Sequence, residues 1–204
     1  MRSRLGSVLA VPAAAALLLG VLAGPAQAEE SVVTDATGDV VDADDRPVPE
    51  GASGESAADI VWARLNHSLG RVRMVVKVRD LDTGRGIEPN AVWWLRTPGS
   101  GLFRVDRTAT SGGGVYAEVV DVESGEQVCQ AGFGRSPAAD TIRFVVDRDC
   151  LGDPGWVRFG VLTSNGVRED GFYRSRADDA RVDGGAVSYP ARIGGPRILP
   201  GRAG

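Results

Sequence analysis

The stretch Arg71-Val72-Arg73-Met74-Val75-Val76-Lys77-Val78-Arg79 decides the fold. Successive side chains of a strand point to opposite faces, so one face carries Val72, Met74, Val76 and Val78. The other carries Arg71, Arg73, Val75, Lys77 and Arg79. A helix would scatter these apolar residues around its circumference, whereas a half-buried antiparallel strand gathers them on one side. Working outward, the same period of two recurs over residues 59–66, 91–97, 102–107, 114–122, 141–147 and 156–163. Ile142, Phe144 and Val146, and likewise Val157, Phe159 and Val161, form further inward sets. Turn material such as His67-Ser68-Leu69-Gly70, Pro98-Gly99-Ser100-Gly101 and Asp153-Pro154-Gly155 separates the runs. No window of about 11 residues shows an apolar stripe at helical spacing with caps. Seven to nine short strands at this spacing predict an all-β, antiparallel β-sandwich of jelly-roll type in a single domain.

The start of the chain reads as an export signal. Arg2 and Arg4 precede an apolar run to about Leu22, interrupted by Pro12, and Gly24-Pro25-Ala26-Gln27-Ala28 supplies a small-x-small cleavage pattern before Glu29. Residues 1–28 are therefore expected to be removed, residues 29–190 to form the sandwich, and 191–204 to be an extended tail rich in Gly and Pro. No later stretch is apolar enough to cross a membrane, so secretion without a membrane anchor is the expectation. The formal charge of −4 becomes −6 without Arg2 and Arg4, which disfavours a general nucleic-acid binder. One histidine and two cysteines exclude multi-histidine and four-cysteine zinc sites.

In an exported chain Cys129 and Cys150 are most simply a disulfide. A tight hairpin centred near Ser136 would put Cys129 opposite about Arg143, so the bridge is expected to clip the turn at Cys150-Leu151-Gly152 to a nearby strand.

Charge is concentrated at the front of the mature chain. Residues 29–59 carry ten acids against the single base Arg46, and the rest is net basic. So many carboxylates repel one another unless a cation or the Arg-rich strand faces neutralise them. The acidic loop over about 35–58 also holds Pro47, Pro49, Gly51 and Gly54 and few apolar residues. Within it, Asp35-Ala36-Thr37-Gly38-Asp39 places a glycine where the chain can turn and bring two carboxylates together, and Asp59 opens the next strand. One reading is a calcium site at Asp35, Asp39 and Asp59, since calcium accepts irregular sets of oxygens. The other is that Asp35 and Asp39 only cap a turn.

The leader, Asp35-x-x-Gly38-Asp39, and Ala58-Asp59-Ile60 running into Val61-Trp62-Ala63-Arg64 form one part of a pattern. Cys150-Leu151-Gly152-x-Pro154-x-Trp156-Val157 forms the other. Together they resemble secreted β-sandwich proteins of actinobacterial type and, more distantly, are similar to DOMON-like and family 9 carbohydrate-binding-module-like jelly rolls. The resemblance implies an N-terminal aspartate cluster able to hold a structural calcium, matched here by Asp35, Asp39 and Asp59. Haem-binding relatives need methionine and histidine ligands. Here Met74 sits in an apolar stripe and His67 in a turn, so no haem is expected.

Adjacent strand residues face opposite ways, so Trp93 and Trp94 cannot both be in the core. Trp94, sharing a face with Arg96, is the expected surface aromatic, and Trp62 lies on the face of Arg64. Such residues can stack on a sugar or a partner, or can simply cover the sandwich's second face beneath arginine stems. No catalytic residue is assigned: His67 stands alone in a turn, and no Gly-x-Ser-x-Gly elbow exists. The expected function is a secreted, non-catalytic, calcium-stabilised module binding an extracellular glycan, cell-wall polymer or protein. The alternatives are a structural or interaction protein without a ligand pocket and a small secreted hydrolase.

Overall fold

The computed structural model describes residues 29–52, 55–81, 89–99, 101–109, 115–169, 172–182 and 187–201. The expected leader, residues 1–28, lies outside the described residues, as do Gly54, Ser100 and Gly114. Among the described residues twelve strands and one short α-helix follow in order: β1 (Glu29–Thr34), β2 (Val41–Asp42), α1 (Glu55–Ala58), β3 (Ile60–His67), β4 (Arg71–Val78), β5 (Asn90–Arg96) and β6 (Leu102–Ala109). Then come β7 (Val115–Asp121), β8 (Gln127–Ser136), β9 (Thr141–Asp147), β10 (Val157–Glu169), β11 (Phe172–Asp179) and β12 (Gly194–Ile198). All pair antiparallel in one sheet, ordered β1-β3-β4-β9-β8-β7-β6-β5-β10-β11-β2, with β12 added to β10.

The sheet curls back on itself at β8. Ala117 to Val120 of β7 pair with the first part of that strand, and Gly132 to Ser136 pair with β9. The two halves thus face each other across one core. Val72, Met74, Val76, Ile142, Phe144 and Val146 come from one side, and Trp93, Leu95, Val105, Val157, Phe159 and Val161 from the other. Both inward sets anticipated from the alternation are fully or nearly fully buried. Each such side chain contributes about 1.5–3 kcal/mol on burial.

Cys129 and Cys150 form the disulfide, joining β8 to a 3-10 turn at Arg148–Leu151 with the Cα atoms 6.0 Å apart. The hairpin beside it turns later than the sequence suggests. A 3-10 turn at Pro137–Ala139 and a left-handed Asp140 shift the centre, so Arg143 faces Gly134 and lies well short of Cys129.

The tail is extended, as expected, but it is also packed. The segment 187–193 crosses the outer face of β5 and β10, and Gly194–Ile198 pairs with β10, burying Ile198. Gly201 donates its N–H to the carbonyl of His67 at 3.0 Å. His67, expected in a solvated turn, ends β3 with its ring fully buried and Nδ1 2.9 Å from the Ile198 carbonyl. The acidic loop likewise encloses a small core of its own, Val40, Val48 and Ala58. Among the described residues no helix is long and apolar enough to cross a membrane.

Candidate functional site

The acidic loop folds against one end of the sandwich, where β1 leaves, β3 begins and β11 ends. Asp35 follows β1 and its N–H donates to the Val61 carbonyl at 3.3 Å, which holds the loop to β3. Three residues on, the chain reverses through Gly38, whose φ of +85° suits glycine. Its N–H is directed at both carboxylate oxygens of Asp59, at 3.1 and 3.0 Å. That turn returns Asp39 toward Asp35. The third carboxylate to arrive is Asp178, from β11, and the oxygens of Asp35, Asp39 and Asp178 lie within 4.8 Å of one another.

The sequence reading therefore named Asp35 and Asp39 of this group and missed Asp178. Asp59 stands behind the cluster in a different role. It is fully buried, holds the Gly38 turn, and pairs with Arg79 Nε at 3.2 Å. Arg79 also reaches Glu50 at 3.3 Å and makes a close pair with the buried Glu55 of α1. One arginine following the Arg-rich strand thus neutralises part of the acidic segment from its own side.

The electrostatics differ between these two layers. Burial pushes the Asp59 carboxyl up to about 6, against the opposing pull of the Gly38 N–H and the Arg79 guanidinium, with Glu55 adding to the rise. Asp178, 1% exposed, is pushed up to about 9. Burial is the largest cause; the neighbouring charges of Asp35, Asp39 and Asp59 add to it, and the Ile60 N–H, donating to Oδ2 at 2.7 Å, opposes it. Bringing the carboxylates of Asp35 and Asp39 against the buried Asp178 favours a positive charge among them.

The dimensions suit a hard cation. Two oxygens bound at about 2.4 Å on opposite sides of one calcium ion are about 4.8 Å apart. The three oxygens can therefore share one ion, with backbone carbonyls or water completing the six to eight ligands calcium takes.

The two tryptophans singled out fall differently. Trp94 is 2% exposed, so it is no surface aromatic: Ala191 packs over it and Tyr189 meets its ring edge-on, with centroids 4.9 Å apart. Alternation correctly turned Trp94 away from the main core, but the segment 187–193 covers that outer face. Trp62 is half-buried, and the Arg64 guanidinium lies over its ring at 5.1 Å. Met74 and His67 are both fully buried, on the neighbouring strands β4 and β3.

Asp178 had a weak signature. It belongs to Asp178-Asp179, adjacent acids that a strand must point to opposite sides. Asp178 faces β3 and the loop, while Asp179 accepts from the N–H groups of Arg181 and Arg192 on the other side, at 3.2 and 2.9 Å. Both are buried. Two consecutive acids closing a strand, each buried on its own face, form a signal that a search confined to the acidic N-terminal segment does not reach. Compared with protein-family models and with curated proteins, the chain matches none.

Proposed function

We propose that this chain is an exported, non-catalytic β-sandwich module braced by one calcium ion at Asp35, Asp39 and Asp178, and that it binds an extracellular glycan, cell-wall polymer or protein. The observation that carries the cation is the convergence of three carboxylates from β11 and the two ends of one tight turn, in a corner where burial has already raised Asp178. A shared ion would tie the departure of β1 to the end of β11 and so close the open end of the sandwich. Export is supported by the leader pattern together with the disulfide, which belongs to an oxidising compartment.

Melting curves with millimolar calcium and with chelator test the cation. A ligand at ten times its dissociation constant stabilises by about 1.4 kcal/mol, or about 3–6 °C for a chain of this size. Asp178→Asn keeps an acceptor for the Ile60 N–H and should abolish the shift, as should the partly exposed Asp39→Ala. A midpoint that ignores millimolar calcium removes the proposal. Retention on a polysaccharide array, weakened by Trp62→Ala, tests the glycan; wild-type protein that retains nothing ends that reading. The burial of Trp94 and the arginine lid on Trp62 favour the second reading, a structural or interaction protein in which neither tryptophan serves as a sugar platform.

A further inference from the structure

Arg96 of β5 and Arg158 of β10 are directly opposed in the antiparallel register, on the outer face of the sheet. Like charges so placed destabilise a strand pair. A third arginine, Arg192, arrives from the segment that crosses this face, and with Pro190, Ala191 and Ile193 the three guanidinium-bearing residues line a cavity of about 360 Å³. Among the described residues no carboxylate lines it. Among the described residues none of the three makes an ion pair with an acid; Asp179 directs its oxygens at the backbone N–H groups of Arg181 and Arg192, and Asp45 accepts from the N–H of Val187.

Arg158 is the most constrained of the three. Its guanidinium carbon lies 5.9 Å from the centroid of the Trp156 ring, and its buried Nε has no hydrogen-bond partner. Arg197 lies over the same ring at 4.7 Å. Three permanently charged groups offering planar forks of N–H donors, with repulsion between two of them built into the register, are matched by a multi-oxygen anion.

We infer that this cavity is an anion site that takes a sulfate, phosphate or carboxylate group, with Arg158 and Arg96 as the paired ligands and Arg192 closing from above. The site stands independently of the calcium proposal. It deepens the binding-module reading, and rests on it only for the source of the anion: a charged group carried by an extracellular polymer rather than a free ion.

The test is a titration of the whole mature protein with inorganic sulfate and phosphate, against sodium chloride at matched ionic strength, read by thermal shift and by calorimetry. Saturable stabilisation by sulfate or phosphate beyond chloride is expected. Arg158→Gln should weaken binding at least tenfold, and so should the exposed Arg96→Gln. Arg73→Gln, on the opposite half of the sheet, should stay within twofold. In anion-free buffer Arg96→Gln should not lower the melting point, because it removes a repulsion. Absence of a saturable response in the wild type, or an equal loss in Arg73→Gln, overturns the site. A sulfated and a uronic polysaccharide then distinguish the source. Retention that inorganic sulfate competes away supports a polymer ligand. An inorganic response with no polymer retention leaves the anion site standing and defeats the glycan reading alone.

Discussion

Replacing Gly160 with alanine tests how the outer face is built. Gly160 is the fourth residue of β10, opposite Trp94 of β5, and the segment 187–193 crosses directly above it. A Cβ placed there would stand 2.7 Å from the Arg192 carbonyl oxygen, 2.9 Å from that of Ala191 and 3.0 Å from the Arg192 carbonyl carbon. All three are backbone atoms, so no side chain can swing aside. β10 cannot retreat either, because Phe159 and Val161, its neighbours in sequence, fill the core beneath. The crossing segment must lift by several tenths of an ångström. It is held down by the Arg192 N–H to Asp179 at 2.9 Å, by the burial of Ala191 and by the Tyr189 ring on Trp94.

Overpacking of this kind costs about 1–3 kcal/mol. At about 2–4 °C per kcal/mol the melting point should fall by about 2–12 °C. Urea titration gives the free energy, and tryptophan fluorescence should shift to the red as water reaches Trp94. Because the same segment walls the arginine cavity, sulfate binding should weaken in parallel. Gly70→Ala is the control: its φ is not in the left-handed region and its Cβ meets nothing within 4 Å, so it should be neutral or slightly stabilising. A Gly160→Ala protein that melts within 1 °C of the wild type would refute the reasoning, since the crossing segment could not then be in contact with the strand.

What the sequence could and could not reveal follows from where alternation is physically enforced. β4 and β9 separate core from solvent, and β10 opens with Val157, Phe159 and Val161 turned into the core, so their alternation was readable at once. β11 was not, because its first four residues, Phe172 to Ser175, are exposed and pair only with β10, leaving no side to be apolar. β8 carries Gly132 and Gly134 where the sheet bends, which interrupts its pattern. β12 and the crossing segment look like a loose Gly- and Pro-rich tail because their order comes from docking onto β10, a long-range event with no local signature. The misplacement of Trp94 is the direct result: its orientation was legible, but the segment that covers it was not. The candidate cation site shares this history, since the turn Asp35 to Asp39 is local and was found, while Asp178 depends on β11.

Two predictions remain. Cys129→Ala with Cys150→Ala opens a loop whose ends are 21 residues apart, and the chain-entropy relation puts the loss at about 3 kcal/mol. Urea midpoints of the double variant and the wild type measure it, and a difference under about 1 kcal/mol would mean the bridge constrains little. His67 supplies an acid limb. Its Nδ1 faces a carbonyl that can only accept, so that nitrogen carries the proton, while Nε2 is buried without a hydrogen-bond partner. Burial holds its pKa below the ordinary 6.5; Arg148 lowers it further, and the Ile198 carbonyl and Glu29 oppose this. The unfolded chain therefore takes up this proton first as pH falls. The stability His67 contributes is present above about 6.5 and is lost below it, by at most about 1.4 kcal/mol per pH unit, until the folded ring also protonates. Asp59, raised to about 6, titrates in the same window with the opposite sign, because its folded form holds the proton more tightly than its unfolded form. The histidine must therefore be read as the difference between the wild type and His67→Gln, whose midpoints should converge between pH 7.5 and 5.5. Parallel midpoints across that window would show that the ring takes up its proton as readily in the folded protein as in the unfolded chain.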